Sequence, residues 1–186
     1  MTPEPPTTPG AAVQAELRLH IGGRQKKAGW LILDIEPGPH VDFLGDCTDL
    51  GQFPDDSIAC VYASHVYEHL DYQQALPHAL AEVRRVLRPG GQFHVSVPDL
   101  QAVAWLLLDP ALGPEQRFHL MRVVYGGQTT PHDFHRTGFT AEIMLGFLAR
   151  AGFRSARRVA DHGLFEDTSK LSLFGRPVSL NMIAEA

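Results

Sequence analysis

Short apolar runs separated by polar turns fill the first hundred residues. LRLHI runs into Gly22-Gly23, LILDI closes on Asp34, VDFLGD closes on Asp46, and IACVYAS begins at Ile58 and ends in the polar cluster Ser64, His65, Glu68, His69. Runs of this length bounded by turn residues predict buried strands. Leu76, Leu80, Val83 and Leu87 then recur at helical spacing, and Pro89-Gly90-Gly91 ends that helix before a further apolar run, Phe93 to Val97. Strand, helix and strand in this order make one unit of a parallel sheet. Its polar residues fall at the carboxyl end of the first strand, where open α/β sheets bind ligands.

The second half changes character. Gln101–Leu108 and Glu115–Val124 read as helices separated by Asp109-Pro110 and Gly113-Pro114, and YGGQTTPHDFHRTGF, without periodicity, reads as a loop hinged at Tyr125, Gly126 and Gly127. Thr140–Ala151 predicts a helix with Thr140 as N-cap, apolar faces from Ile143, Leu145, Phe147 and Leu148, and Gly152 beyond its end. FRSARRVA and VSLNMIAEA predict two closing strands joined by the irregular segment GLFEDTSKLSLFGRP.

Composition adds limits to this picture. The 186 residues are 44% hydrophobic and 20% charged with a net charge of −5, ordinary values for a globular domain. The arginines at 84, 85, 88, 150, 154, 157 and 158 lie among acids or at helix ends, where Arg84, Arg85 and Arg88 read as solvated charges, so no basic stripe offers itself to nucleic acid. Ala102–Leu108, the longest apolar stretch, is far too short to span a bilayer. Residues 1–14, rich in proline and threonine, read as a disordered tail and not as a signal peptide, which leaves 15–186 as the expected domain. Cys47 and Cys60 read as reduced thiols in a cytoplasmic protein. Nothing along the chain sets an oligomeric state.

The order glycine turn, acid, acid, SHVYEHL, RPGG and PDL resembles the class I S-adenosylmethionine-dependent methyltransferases, and within them a compact type 11-like group, over roughly residues 15–186. The resemblance implies an α/β, Rossmann-like fold with a mostly parallel seven-stranded sheet whose last strand, Val178–Ala186, is antiparallel. It implies S-adenosylmethionine as cofactor, held by Gly22, Gly23, Arg24, Asp34, Asp46, Cys47 and Ser64. Asp34 has the position at which such folds bind ribose hydroxyls, and Asp46 that of the acid facing the adenine edge; each, taken alone, also reads as a turn residue. The expected reaction is methyl transfer to oxygen or nitrogen of a small-molecule or glycan-like acceptor. His65, His132 and His135 are the candidate bases, since an unperturbed imidazole suits that task near neutral pH. Each also has a structural reading, as a strand-end or surface-loop histidine.

Two departures stand out. Arg24 occupies the second glycine position of the usual turn, where it either pairs with the cofactor carboxylate or obstructs the pocket. Only nine residues run from Gly22 to Trp30, whereas a helical crossover takes about a dozen or more, so the first helix must be shortened or missing. These favour one alternative, a non-catalytic relative binding a nucleotide or a protein. The spacing His65-x-x-Glu68-His69 fits an inverted zinc-peptidase motif, the basis of another alternative, a metal-dependent hydrolase. Its histidines need a helix, however, and IACVYAS predicts a strand. No metal site is assigned, although His65 or His69 with His132, Asp133 and His135 leaves one open.

Overall fold

The structure, a computed structural model, describes residues 16–186; the expected tail, residues 1–14, lies outside them. In chain order the elements are β1 (Arg18–Ile21), β2 (Trp30–Asp34), β3 (Phe43–Leu44), β4 (Ile58–Ser64), α1 (Ala75–Val86), β5 (Leu87–Pro98), α2 (Leu100–Leu107), α3 (Pro114–Tyr125), α4 (Ala141–Arg150), β6 (Ser155–Val159), β7 (Ser172–Leu173), β8 (Arg176–Pro177) and β9 (Ser179–Glu185). Seven strands form one sheet in the order β3-β2-β1-β4-β5-β9-β6, and β7 and β8 form a separate hairpin. The five strands from β3 to β5 are parallel, while β9 runs antiparallel to both β5 and β6. This is the sheet that the resemblance implied.

Strand alternation assigns the two faces different chemistry. One face presents Leu19, Ile21, Leu33, Val61, Ala63, Phe93 and Val95 to Leu76, Leu80 and Val83 of α1 and to Met144 and Leu148 of α4. Burying each of these larger side chains stabilises the fold by about 1.5–3 kcal/mol. The opposite face carries His20, Trp30 and Tyr62, all buried. Residues 22–29 form a turn, and among the described residues no helix joins β1 to β2. The helix is missing, as the nine-residue spacing requires, and the face it would have covered is closed from the C-terminal half. There the Phe165 ring lies 4.1 Å from that of His20, 4.8 Å from Tyr62 and 5.1 Å from Trp30. Asp167 accepts a hydrogen bond from the Tyr62 hydroxyl at 2.8 Å, and Lys27 donates to the Leu164 carbonyl at 2.6 Å. A third cluster, Val103, Leu106, Leu120 and Val178, packs α2 against α3.

Four local readings need correction. Leu87 belongs to β5, not to the helix, and Pro89-Gly90-Gly91 lies inside that strand as a bulge. The pairing passes from Ile58↔Leu87 to Cys60↔Gln92, and Gly90 at φ +75° absorbs the extra residues. VDFLGD contributes only Phe43 and Leu44 as a strand, so Asp46 sits in the turn beyond. The segment 163–177 is less irregular than its composition suggests, with a 3₁₀ turn at Thr168–Lys170 and the β7-β8 hairpin. Arg85 is no solvated charge: it donates to the Leu50 and Phe53 carbonyls at 3.1 and 3.0 Å and pairs with Glu82 and Asp55 at 2.7 Å each. Glu82 in turn accepts from the Leu50 amide. A loop carbonyl facing the helix needs a donor, and Arg85 pins the 45–57 loop to α1.

The aromatic face makes stability depend on pH. Burial lowers the pKa of His20 and of His94 from 6.5 to about 4, although Asp167 and Asp34 oppose the shift at His20. The unfolded chain therefore takes up protons near pH 6.5 that the folded chain refuses until about pH 4. Stability is full above pH 6.5 and falls as the pH drops toward 4, by roughly 3 kcal/mol per histidine at the acid end. Thermal melts between pH 7.5 and 4.5 should show this fall. His20→Phe, which keeps the ring contacts and removes the titration, should make it shallower; an unchanged slope would exclude His20 as its source.

Candidate functional site

A cavity of about 830 Å³ opens at the carboxyl ends of the parallel strands, around the β1–β4 boundary where the strand order reverses. Its floor is built from successive strand ends: Ile21 and Gly22 after β1, Asp34 at the end of β2, Asp46 and Cys47 after β3, and Ser64 and His65 after β4. Its roof comes from the loop at Thr129–Phe134 and from Phe165–Thr168.

Six of the seven residues expected to hold a cofactor line this cavity: Gly22, Arg24, Asp34, Asp46, Cys47 and Ser64. Gly23 lies beneath it, where a Cβ would come 2.7 Å from the His20 ring. Gly22 has φ +72°, and a Cβ there would meet Val66 Cγ2 at 2.6 Å, so sterics and dihedral both demand glycine. Asp34 is buried; its Oδ1 accepts from the Glu36 amide at 2.8 Å, and Oδ2 accepts no hydrogen bond from the described residues. Asp46 uses Oδ1 to cap Thr48 through amide and hydroxyl, each at 2.8 Å. Arg24 does not obstruct the cavity: its guanidinium is 67% exposed, 3.3 Å from Glu36 Oε2 and 4.0 Å from Asp34 Oδ2. Burial, with help from Asp46, pushes the Cys47 thiol up to about 12, and burial raises Cys60 to about 11. Both thiols are free.

The histidines separate. His65 lines the cavity in a left-handed conformation, φ +56°, unusual for a residue with a side chain. Its Nε2 is 3.1 Å from Ser179 Oγ, and its Nδ1 is 3.2 Å from Glu68 Oε1. His132 is exposed on the roof. His135 does not line the cavity; its Nδ1 donates to the Val123 carbonyl at 3.0 Å, and burial lowers its pKa. Residues 67–69 form a single 3₁₀ turn, so the helix that an inverted zinc-peptidase motif requires is absent from this site.

The roof loop is clamped at both ends. Asp133 accepts from the Gly127 amide and from the amide and hydroxyl of Thr129, and the Thr129 hydroxyl bond leads in holding its carboxyl below the usual range. At the far end, Arg136 and Thr137 amides donate to the Glu68 carbonyl, and the Thr137 hydroxyl donates to the Leu70 carbonyl at 2.7 Å. Phe165, Glu166, Asp167 and Thr168 are among the lining residues that sequence reasoning missed. The one signal for them was indirect: with the first helix absent, some aromatic segment had to cover β1 and β2.

Residues 25–95 match a family described as a methyltransferase domain. A search of curated proteins finds no match to the chain. Among solved structures, the chain is similar to a SAM-dependent methyltransferase from Archaeoglobus fulgidus, at 17% identity and TM-score 0.60, covering 92% of this chain and 86% of that one. It is similar to a structure of the Haloferax volcanii Trm112 methyltransferase activator in complex with the putative methyltransferase, at 16% identity and TM-score 0.54 over 93% of this chain and 83% of that one. A third is the Burkholderia thailandensis 1,6-didemethyltoxoflavin-N1-methyltransferase with bound 1,6-didemethyltoxoflavin and S-adenosylhomocysteine, at 15% identity and TM-score 0.54 over 91% of this chain and 71% of that one. The fold is that of the class I S-adenosylmethionine-dependent methyltransferases.

The clamp on the roof loop is testable at its hinge. Gly126 has φ +84°, and a Cβ there would lie 2.2 Å from the Asp133 carbonyl oxygen. Gly126→Ala should therefore strain or release the loop, costing about 1–3 kcal/mol. Limited proteolysis should cut 127–136 faster in the variant, and equal rates would show that the hinge tolerates a side chain.

Proposed function

We propose that this chain, with its class I methyltransferase fold, is an enzyme that binds S-adenosylmethionine in the cavity and transfers the methyl group to a small-molecule or glycan-like acceptor at oxygen or nitrogen. The observation that carries the reading is the convergence of Gly22, Asp34, Asp46 and Ser64, each at or just past the end of a different parallel strand, on one cavity. Gly22 lets the backbone approach a ligand. Asp34, buried with Oδ2 open, has the placement and charge to accept hydrogen bonds from ribose hydroxyls. Asp46 and Cys47 form the far end, for the adenine.

S-adenosylmethionine supplies an electrophilic methyl on a sulfonium centre. The protein's part is to hold the donor, exclude water and aim the acceptor, and positioning of this kind supplies roughly 7–11 kcal/mol of a barrier. The loop 129–134 and the segment 165–168 close over the cavity and perform the exclusion. A hydroxyl acceptor also needs its proton removed. His65 and His132 line the cavity and are the proposed bases, while His135 acts from behind the wall by holding the loop. The exposed, acid-paired position of Arg24 leaves the cavity open, which supports the binding reading over a non-catalytic relative.

Calorimetric titration with S-adenosylhomocysteine tests this directly: saturable binding with a raised Tm is expected, and no heat or shift at millimolar ligand would overturn it. Asp34→Asn keeps the cap on the Glu36 amide and removes the charge, so it should weaken binding by about 1.5–3 kcal/mol while Tm without ligand stays near that of the parent. His132→Ala should leave that affinity unchanged. Equal affinity in Asp34→Asn and the parent would return Asp34 to a turn residue.

A further inference from the structure

At the edge of the cavity, which His69 lines, Glu68, His69 and His135 each present a ligand atom within 4.8 Å of the other two. Glu68 is 1% exposed, and neither of its carboxylate oxygens accepts a hydrogen bond. His65 Nδ1 approaches Oε1 to 3.2 Å but lies off the line a hydrogen bond needs. A carboxylate buried without donors costs several kcal/mol unless a cation meets it. One nitrogen of each imidazole lies within 4.8 Å of the Glu68 carboxylate, and backbone carbonyls hold both rings. His69 Nδ1 is 3.2 Å from the Phe134 carbonyl and His135 Nδ1 is 3.0 Å from that of Val123. Since a carbonyl only accepts, both Nδ1 atoms carry the proton and both Nε2 atoms keep a lone pair. Imidazoles held this way by backbone carbonyls are prepared to ligate a metal.

From this geometry we infer that Glu68, His69 and His135 bind one divalent transition-metal ion, of which Zn²⁺ suits the donor set, and that the ion fastens the roof loop to the 67–69 turn. Two imidazoles and one carboxylate are a donor set that zinc takes with a fourth position left for water. The ligands come from two elements, Glu68 and His69 from the turn after β4 and His135 from the loop, so binding joins them. Bonds near 2.0–2.2 Å require ligand separations of roughly 3.3 Å, hence binding draws His135 and its loop inward. Asp133 is committed to Gly127 and Thr129, and His132 lies exposed on the roof, so neither belongs to the set.

This inference does not depend on the methyl-transfer reading, and its test omits S-adenosylmethionine. Full-length protein freed of metal with a chelator is titrated with Zn²⁺ by calorimetry, and with Co²⁺ by visible absorption. One equivalent should bind, and Tm should rise by roughly 5–10 °C at a Zn²⁺ concentration a hundredfold above Kd. Proteolysis within 127–136 should slow, and Co²⁺ should give d–d bands in the visible. His69→Ala and His135→Ala should each lose affinity about a hundredfold or more and lose the Co²⁺ bands, while His132→Ala keeps both. Glu68→Gln should do the same as the first two, and the two histidine variants keep the test decisive if it fails to fold. Absence of saturable binding at millimolar Zn²⁺, or binding in His69→Ala and His135→Ala equal to the parent, would overturn the site.

Discussion

The contact of Phe165 with His20, Trp30 and Tyr62 is the constraint on which the rest depends. A parallel sheet needs cover on both faces, because its strands are apolar or aromatic on both. The turn of residues 22–29 is too short to supply a helix over β1 and β2, so another segment must take its place. Phe165 fills the gap among the three rings, and Asp167 satisfies the Tyr62 hydroxyl that burial would otherwise leave without a partner. The same segment then continues along the cavity as Glu166 and Thr168. Cover for the core and a wall for the site are thus one structure.

The opposite side of the cavity is organised by the turn after β4. His65 stands in a left-handed conformation, and its amide donates to the Ser96 carbonyl at 2.8 Å. The carbonyl of Glu68 receives the amides of Arg136 and Thr137, while its carboxylate stays buried and without a hydrogen bond. Backbone of one residue therefore anchors the loop, and its side chain holds a charge toward the histidines of turn and loop. Strain and a buried carboxylate without a hydrogen bond persist where the surroundings hold them and where a ligand gains from them. On the far side, Arg85 and Glu82 fix the loop that carries Asp46 and Cys47 to α1, so each rim of the cavity is tied to a packed helix or turn.

The sequence by itself determined where the strands lie along the chain and which polar residues follow them, while the direction of the last strand rested on the resemblance to class I methyltransferases. Apolar periodicity is a local property, and Asp34 and Ser64 close their runs directly, so their place at the strand ends needs no knowledge of the rest of the chain, whereas Asp46 falls in the turn beyond β3. The missing helix was likewise countable from Gly22 to Trp30. Tertiary structure decided what covers the gap, because the partners His20 and Phe165 stand far apart in the chain and no local pattern marks them as neighbours. It decided that Arg85 is a pin and not a solvated charge, since its acceptors are carbonyls of a loop that folds back onto α1. It decided also that Pro89-Gly90-Gly91 bulges within β5, an outcome set by pairing with β4 and not by the glycines alone. Among the histidines it separated His65 and His132, on the cavity, from His135, behind it, because side-chain direction depends on which carbonyl each ring finds, and those carbonyls belong to other elements.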